Sequence, residues 1–176
     1  MVALNATGIT LWPEAASADV ARYNLLVWSE DFSQSAWASN GTMTTATSTL
    51  TASGDLNSEA RQVVTRPTNG ETVTFSVEVK NNTGSAEWDI LIAEYNGATF
   101  LSGTNVTLTG LSGSFQRFSA SHAGSEATGD RWRVRIRRTN ASGAADGDQV
   151  GVQNAQLEVA SSFTSYQRVN DGTEFS

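Results

Sequence analysis

ETVTFSVEVK, residues 71–80, alternates without a break. Val73, Phe75, Val77 and Val79 fall on one side, and Thr72, Thr74, Ser76 and Glu78 on the other. Period two is what a strand with one buried face requires, because successive side chains point to opposite faces of a sheet. The same pattern continues outward from this stretch. Upstream, YNLLVW (23–28) predicts a short strand, GTMTTATSTLTA (41–52) a strand pair and SEARQVVT (58–65) another strand, with Pro67 and Asn69-Gly70 marking a turn. Downstream, AEWDILIAEY runs into Asn96-Gly97, a hairpin signal, and ATFLSGTNVTLT returns from it. FQRFSASHA, DRWRVRIRRT and DQVGVQNAQLEV follow as three more strands between Gly-rich turns, with no core helix and no internal repeat. Strands spaced about 8–14 residues apart are those of an antiparallel sandwich or barrel.

Composition narrows the function. The 176 residues are 39% hydrophobic, enough for one domain with a sizeable core, and only 16% charged, against roughly 25% in an average soluble domain. Thr-rich, charge-poor chains suit pleated sheets, where β-branched side chains pack well. The net charge is −7, and the 11 basic residues comprise Lys80 and ten arginines with no basic tract. This balance excludes nucleic acid or an anionic membrane as main partner. The absence of cysteine removes disulfides, thiolate metal sites and Cys nucleophiles. The N-terminus has neither a basic start nor a long apolar run, so neither a signal peptide nor a membrane span is expected. Residues 1–22 hold too few apolar groups to fold alone and are expected to be an N-terminal arm and linker. In that arm Leu4, Ile9, Leu11 and Trp12 are the candidates for docking on a partner, with Pro13 ending the run.

Two stretches carry a resemblance. NLLVWSEDFSQSAW (24–37) and VQNAQLEVASSFTSYQRV (152–169) bracket TFSVEVK (74–80) and the Trp-Arg strand of residues 130–138. The chain resembles, over residues 24 to about 169, a jelly-roll domain of bacteriophage and prophage virion proteins that is similar to carbohydrate-binding modules. Relatives of that kind open with Asn-Leu-Leu and a Ser-Glu-x-Phe turn, and close with a Gly-Ala-Gln-Leu-Glu-like strand and a Ser/Thr-x-Tyr tail. Two departures stand out: Asn154 where Gly is usual, and SYQRV in the tail. The resemblance implies an all-β, two-sheet antiparallel jelly-roll sandwich of about 8–10 strands spanning residues 23–176. It places Trp28 and Phe32 in the core or at a sheet edge, and the Ser-Glu-Asp centre in a turn at one end of the sandwich.

Several residue sets invite chemistry. His122, the only histidine, lies in SASHAGS with no Gly-x-Ser-x-Gly elbow, and an exposed turn position is the expected reading. Glu30, Asp31, Glu87, Asp89, Glu94 and Glu158 are the acids from which a glycosidase pair would be drawn, and no spacing singles out two. Calcium takes six to eight oxygens. Jelly-roll sugar modules often hold a structural Ca²⁺ where their terminal strands meet, which would bring Glu30 or Asp31 towards Asp146 and Asp148, or towards Glu158.

DRWRVRIRR sets Trp132, Val134 and Ile136 on one face and Arg131, Arg133, Arg135 and Arg137 on the other, about 7 Å apart along the strand. Such a row either clamps an anionic sugar through bidentate bonds or pairs with acids on neighbouring strands, such as Glu78, or Glu87 and Asp89. Sugar recognition also needs a ring face beside polar groups. Trp37, Trp88, Tyr95 and Phe100 are the rings to test, with core packing the competing fate of each. Trp37 lies in a loop and is the freer of the tryptophans, Trp88 has apolar residues on both sides, and Trp132 belongs to the core.

The sequence thus leads to a non-enzymatic virion component, a decoration, head-fibre or tail-appendage protein. Its partners are capsid or tail proteins and a host-surface glycan, in homo-oligomeric or multicopy form, and the ligand residues are Trp37, Trp88, Tyr95, Arg133, Arg135 and Arg137. No cofactor is required, with Ca²⁺ at Glu30, Asp31, Asp146 and Asp148 the one candidate. A stand-alone glycan-binding module and a glycoside hydrolase are the alternatives.

Overall fold

A computed structural model describes residues 23–53, 58–66, 70–124, 127–139 and 145–171. The arm with Leu4, Ile9, Leu11 and Trp12 lies outside the described residues, as do Pro67 and Asn69. Ten strands run in chain order: β1 (Ala38–Asn40), β2 (Met43–Ala46), β3 (Thr49–Ala52), β4 (Glu59–Thr65), β5 (Thr72–Thr83), β6 (Trp88–Asn96), β7 (Thr99–Thr107), β8 (Gln116–Ala123), β9 (Arg131–Arg138) and β10 (Asp148–Val159). There is no helix among the described residues, and so none long and apolar enough to cross a membrane. The strands form two five-stranded antiparallel sheets, ordered β1-β4-β9-β6-β7 and β2-β3-β10-β5-β8. The chain changes sheet at most of its connections, which makes the assembly the expected jelly-roll sandwich.

The alternating stretch of residues 71–80 forms the spine of the second sheet. As β5 it pairs with β10 on one side and β8 on the other. Val73, Phe75, Val77 and Val79 are fully buried against Trp88, Ile90, Ile92, Trp132, Val134 and Ile136 of the facing sheet. Burying a side chain of this size stabilises by about 1.5–3 kcal/mol, so the inner faces hold the sheets together. β6 is buried on both faces, as its apolar residues on either side imply.

Two features depart from the sequence reading. The short β1 has no sequence signal, and residues 23–28 form no strand. In that segment side-chain amides take the place of a ladder. Asn24 Oδ1 accepts the N–H groups of Leu26 and Leu157 (3.1 and 3.0 Å), and its Nδ2 donates to the carbonyls of Ala155 and Gln167 (2.9 and 3.0 Å). Gln62 of β4 exchanges both of its amide bonds with the backbone of Val27, each at 2.9 Å. The opening segment is thereby fixed to β10 of one sheet and β4 of the other.

The C-terminal tail completes the clasp. Ser29 Oγ meets Tyr166 Oη at 2.6 Å and exchanges bonds with the backbone of Val169 (3.0 Å each). Tail residue Thr164 donates through N–H and Oγ to the fully buried Glu158 (2.8 and 2.7 Å). The two end motifs occur together because each satisfies the other's buried polar groups.

Candidate functional site

β9 alternates as expected, with Trp132, Val134 and Ile136 inward and the arginine row outward. The register sets the rows across this outer face. Arg137 lies between Glu59 and Asp89, Arg135 between Arg61 and Leu91, Arg133 between Val63 and Ala93, and Arg131 between Thr65 and Tyr95. On β7 the rows continue through Thr107, Asn105, Gly103 and Phe100. Gly103 is where β7 comes closest to β6: a Cβ there would stand 2.8 Å from the Ile92 carbonyl oxygen and 2.9 Å from Ala93 Cβ, so any side chain would push the edge strand away.

The arginines have different partners. Arg137 is ion-paired with Asp89, a carboxylate only 1% exposed. Arg135 and Arg61 share Glu59, at 3.3 and 2.9 Å. Arg131 forms two bonds to Asp130 (2.9 and 3.0 Å), and that contact, with the Gly97 N–H, holds the Asp130 carboxyl below its usual range. Arg133 has no carboxylate partner among the described residues. Its guanidinium carbon stands 3.9 Å from the centre of the Tyr95 ring, and Nη1 donates to Tyr95 Oη at 3.0 Å. Beneath the arginines Leu91, Ala93 and Tyr95 form a small apolar cluster separate from the main core, covered by the aliphatic stems, as long cationic side chains commonly do. Phe100 packs edge-on against Tyr95 at 5.7 Å yet stays 54% exposed.

This face therefore gathers Tyr95, Arg133, Arg135 and Arg137 from the expected ligand residues. Of the expected acid partners Asp89 is present. Glu78 lies on the other sheet, where it accepts from Gln153 and Asn154 (2.6 and 3.0 Å), and Glu87 accepts from Thr139 Oγ1 (3.1 Å). Glu59 and Arg61 escaped the sequence reading. Their signal was the alternation Glu59, Arg61, Val63, but the pairing of β4 with β9 is a long-range contact.

The tryptophans are elsewhere. Trp37, expected to be the freer ring, is 3% exposed. It stacks on Phe32 at 4.4 Å and donates through Nε1 to the Trp28 carbonyl (3.0 Å). Its loop folds inward because the ring closes the end of the core, so it is no ligand platform. Trp88, 1% exposed, lies between the sheets and likewise presents no face to a ligand. Trp28 is half-buried at φ 51°, a rare conformation for a bulky residue. It is fixed by hydrogen bonds from its N–H to the Asn170 carbonyl and to its own carbonyl from Asp31 N–H (3.2 Å).

Trp28 also lines an open cavity of about 300 Å³ with Glu30, Asp31, Thr47, Arg168 and Asn170. Glu30 is paired there with Arg168 at 3.0 Å. The side chains of Ser33 (2.6 Å) and Gln34 (2.8 Å) donate to Asp31 and hold its carboxyl below the usual range.

The expected calcium ligands do not converge. Asp31 is beside Thr47 at the β2–β3 turn, whereas Asp148 pairs in register with Ala52 at the far end of β3. Asp148 accepts from Ala145 N–H (2.6 Å) and faces Arg138 at 3.6 Å, and Asp146 is exposed beside it. No group of three or more His or acidic residues suited to a metal occurs among the described residues.

His122 is not an exposed turn residue. It is half-buried on β8, with Nε2 3.0 Å from Ser102 Oγ, Nδ1 3.1 Å from Thr104 Oγ1, and its ring edge-on to Trp132. A hydroxyl occupies the position where a catalytic triad places a carboxylate. The six acids considered for hydrolysis each accept a bond or ion pair within the protein, including Glu94, buried against Arg66, and Glu158, held by Gln156 and Thr164.

No protein-family model matches the chain, and no curated protein does. Solved structures match its fold. The enzymatically active domain of tailspike protein 4 of bacteriophage CBA120 aligns with a TM-score of 0.59 at 11% identity, over 78% of this chain and 21% of that one. The chain thus spans about a fifth of the tailspike chain's length. A CBM22-1 xylan-binding domain from Paenibacillus barcinonensis aligns at 0.55 and 14% identity, over 81% of this chain and 97% of that one. A family 16 carbohydrate-binding module aligns at 0.52 and 13% identity, over 76% and 99%. At such identities the likeness is one of fold: the chain has the β-sandwich architecture of carbohydrate-binding modules and of a tailspike domain.

Proposed function

We propose that the chain is a non-enzymatic glycan-binding module carried on a phage particle, as a capsid decoration, head fibre or tail appendage. Its ligand surface is the outer face of β1-β4-β9-β6-β7. The observation that carries the binding reading is the half-exposed Phe100 ring, set against Tyr95 next to the Arg133 stack. A sugar packs its C–H face on such a ring while neighbouring polar groups bond its hydroxyls. Asn105, Thr107 and the arginines supply polar groups on the same face.

The virion reading is supported by the end motifs and by the apolar residues of the arm, Leu4, Ile9, Leu11 and Trp12, as contacts to a capsid or tail protein. Many copies on one particle would raise avidity without any new contact. Hydrolysis is disfavoured at the cavity beside Trp28 because its two lining acids, Glu30 and Asp31, are ion-paired and held ionised respectively, whereas glycosidases need one carboxyl as proton donor.

A glycan array followed by calorimetry tests the binding. The wild type is expected to retain a glycan, and Phe100→Ala to weaken it at least tenfold with an unchanged melting temperature. No retained glycan, or full affinity in Phe100→Ala, would sink this site. Cryo-EM of particles with and without residues 1–22 tests the mounting. Density that disappears with the deletion supports it, and its absence from both leaves a stand-alone module.

A further inference from the structure

We infer that the outer face of β1-β4-β9-β6-β7 selects an acidic glycan, one whose sugars carry carboxylates, with Arg133 as the residue that reads the charge. The inference rests on the binding reading above and names its ligand class.

It follows from how the arginine row is neutralised. At the ends of the row the charges cancel, Arg137 against Asp89 and Arg131 against Asp130. In the middle three guanidiniums, Arg61, Arg133 and Arg135, face a single carboxylate among the described residues, Glu59. Glu59 is 5% exposed and already shared between Arg61 and Arg135. The centre of the sheet therefore carries a positive surplus on a chain whose net charge is −7. That surplus attracts an anionic ligand to one face, while the net negative charge of the rest of the chain repels it elsewhere.

Arg133 is also positioned to use its charge. Stacking on Tyr95 and the bond to Tyr95 Oη fix the plane of its guanidinium. A guanidinium has five N–H donors, and Tyr95 takes one. Nε is buried, so the remaining donors on Nη1 and Nη2 are the ones that match a planar carboxylate, which Arg binds bidentately. Phe100, one row-end away on β7, holds the sugar ring to which that carboxylate is attached.

The test compares an oligogalacturonate with its carboxyl-reduced form, which has the same chain without the charge. The acidic form is expected to bind at least tenfold more tightly, and to lose that advantage as salt is raised. Arg133→Gln should bring the acidic form down to the level of the reduced one. Arg133→Lys should keep part of the preference, because it keeps the charge and loses the fork, and Arg168→Gln, the same charge change outside the sheet, should keep all of it.

Equal binding of the two forms, both weakened by Phe100→Ala, would overturn the acidic preference and leave glycan binding intact. Failure to bind either form, in a protein that captures neutral glycans on the array, would do the same. Capture of no glycan at all would overturn both readings.

Discussion

Asn154 sits at φ 54° in a bulge of β10, where the register against β5 shifts between Gln153 and Gln156. Side chains other than Gly and Asn rarely adopt that conformation, which costs most residues about 1–2 kcal/mol. The position where the resembling domains carry Gly is thus one the backbone reserves, and Asn is the replacement that also contributes a contact, its Nδ2 bonding Glu78 at 3.0 Å. Its carbonyl accepts from Arg117 at 2.7 Å. We predict that Asn154→Gly changes stability by less than about 1 kcal/mol, since relieved strain offsets a lost bond. Asn154→Val should cost about 2 kcal/mol or more, because a β-branched side chain is the least tolerant of positive φ. Urea denaturation of the two variants decides it, and equal costs would show that the conformation is not what constrains the site.

β9 is a strand whose outward residues have the same chemistry and different surroundings. Its register places Arg137 over a carboxylate that is 1% exposed, and Arg131 beside one that is about half exposed. Removing a partner from a buried charge leaves that charge without compensation, a loss of about 3 kcal/mol, whereas water replaces the partner of an exposed one. Arg137→Ala should accordingly lower the urea midpoint by an amount equivalent to about 3 kcal/mol, and Arg131→Ala should leave it where it was. Asp89→Asn introduced with Arg137→Ala should recover part of the loss, since the orphaned charge is gone. A row in which both single variants behave alike would contradict the partner assignment. Within this strand, then, the alternation fixes which face each arginine takes, and the neighbouring strands fix whether it stabilises the fold or remains available to a ligand.

At the scale of the molecule, the open edge between β7 and β8 holds His122 against Ser102, Thr104 and Trp132, with the buried pair Arg66–Glu94 behind. Burial first, and the nearby Arg66 charge, push the imidazole below its usual pKa, against the pull of Glu94. The unfolded chain therefore takes up a proton near pH 6.5 that the folded one resists. The stability that depends on a neutral His122 is complete above about pH 6.5 and is lost progressively as the pH falls from there through the lower pKa of the folded state. His122→Gln should lose less melting temperature than the wild type between about pH 7.5 and 5.5, and an identical slope in both would exclude the histidine as its source. Most of the architecture around that edge is legible in the chain by itself. Period-two alternation in β5 and β9, the Asn96-Gly97 turn and the strand spacing are local signals, and each strand face follows from its own residues. The end motifs, too, mark where the sandwich closes. The tertiary structure alone decided that Trp37 turns inward, that Asn24 and Gln62 replace a strand ladder, that the acids Glu59 and Asp89 meet the arginine row, and that Glu30 and Asp31 lie apart from Asp148. The physical reason is range: a strand's faces are set by its own pleat, whereas ion pairs, burial and unpaired charge depend on which distant strand the register brings alongside.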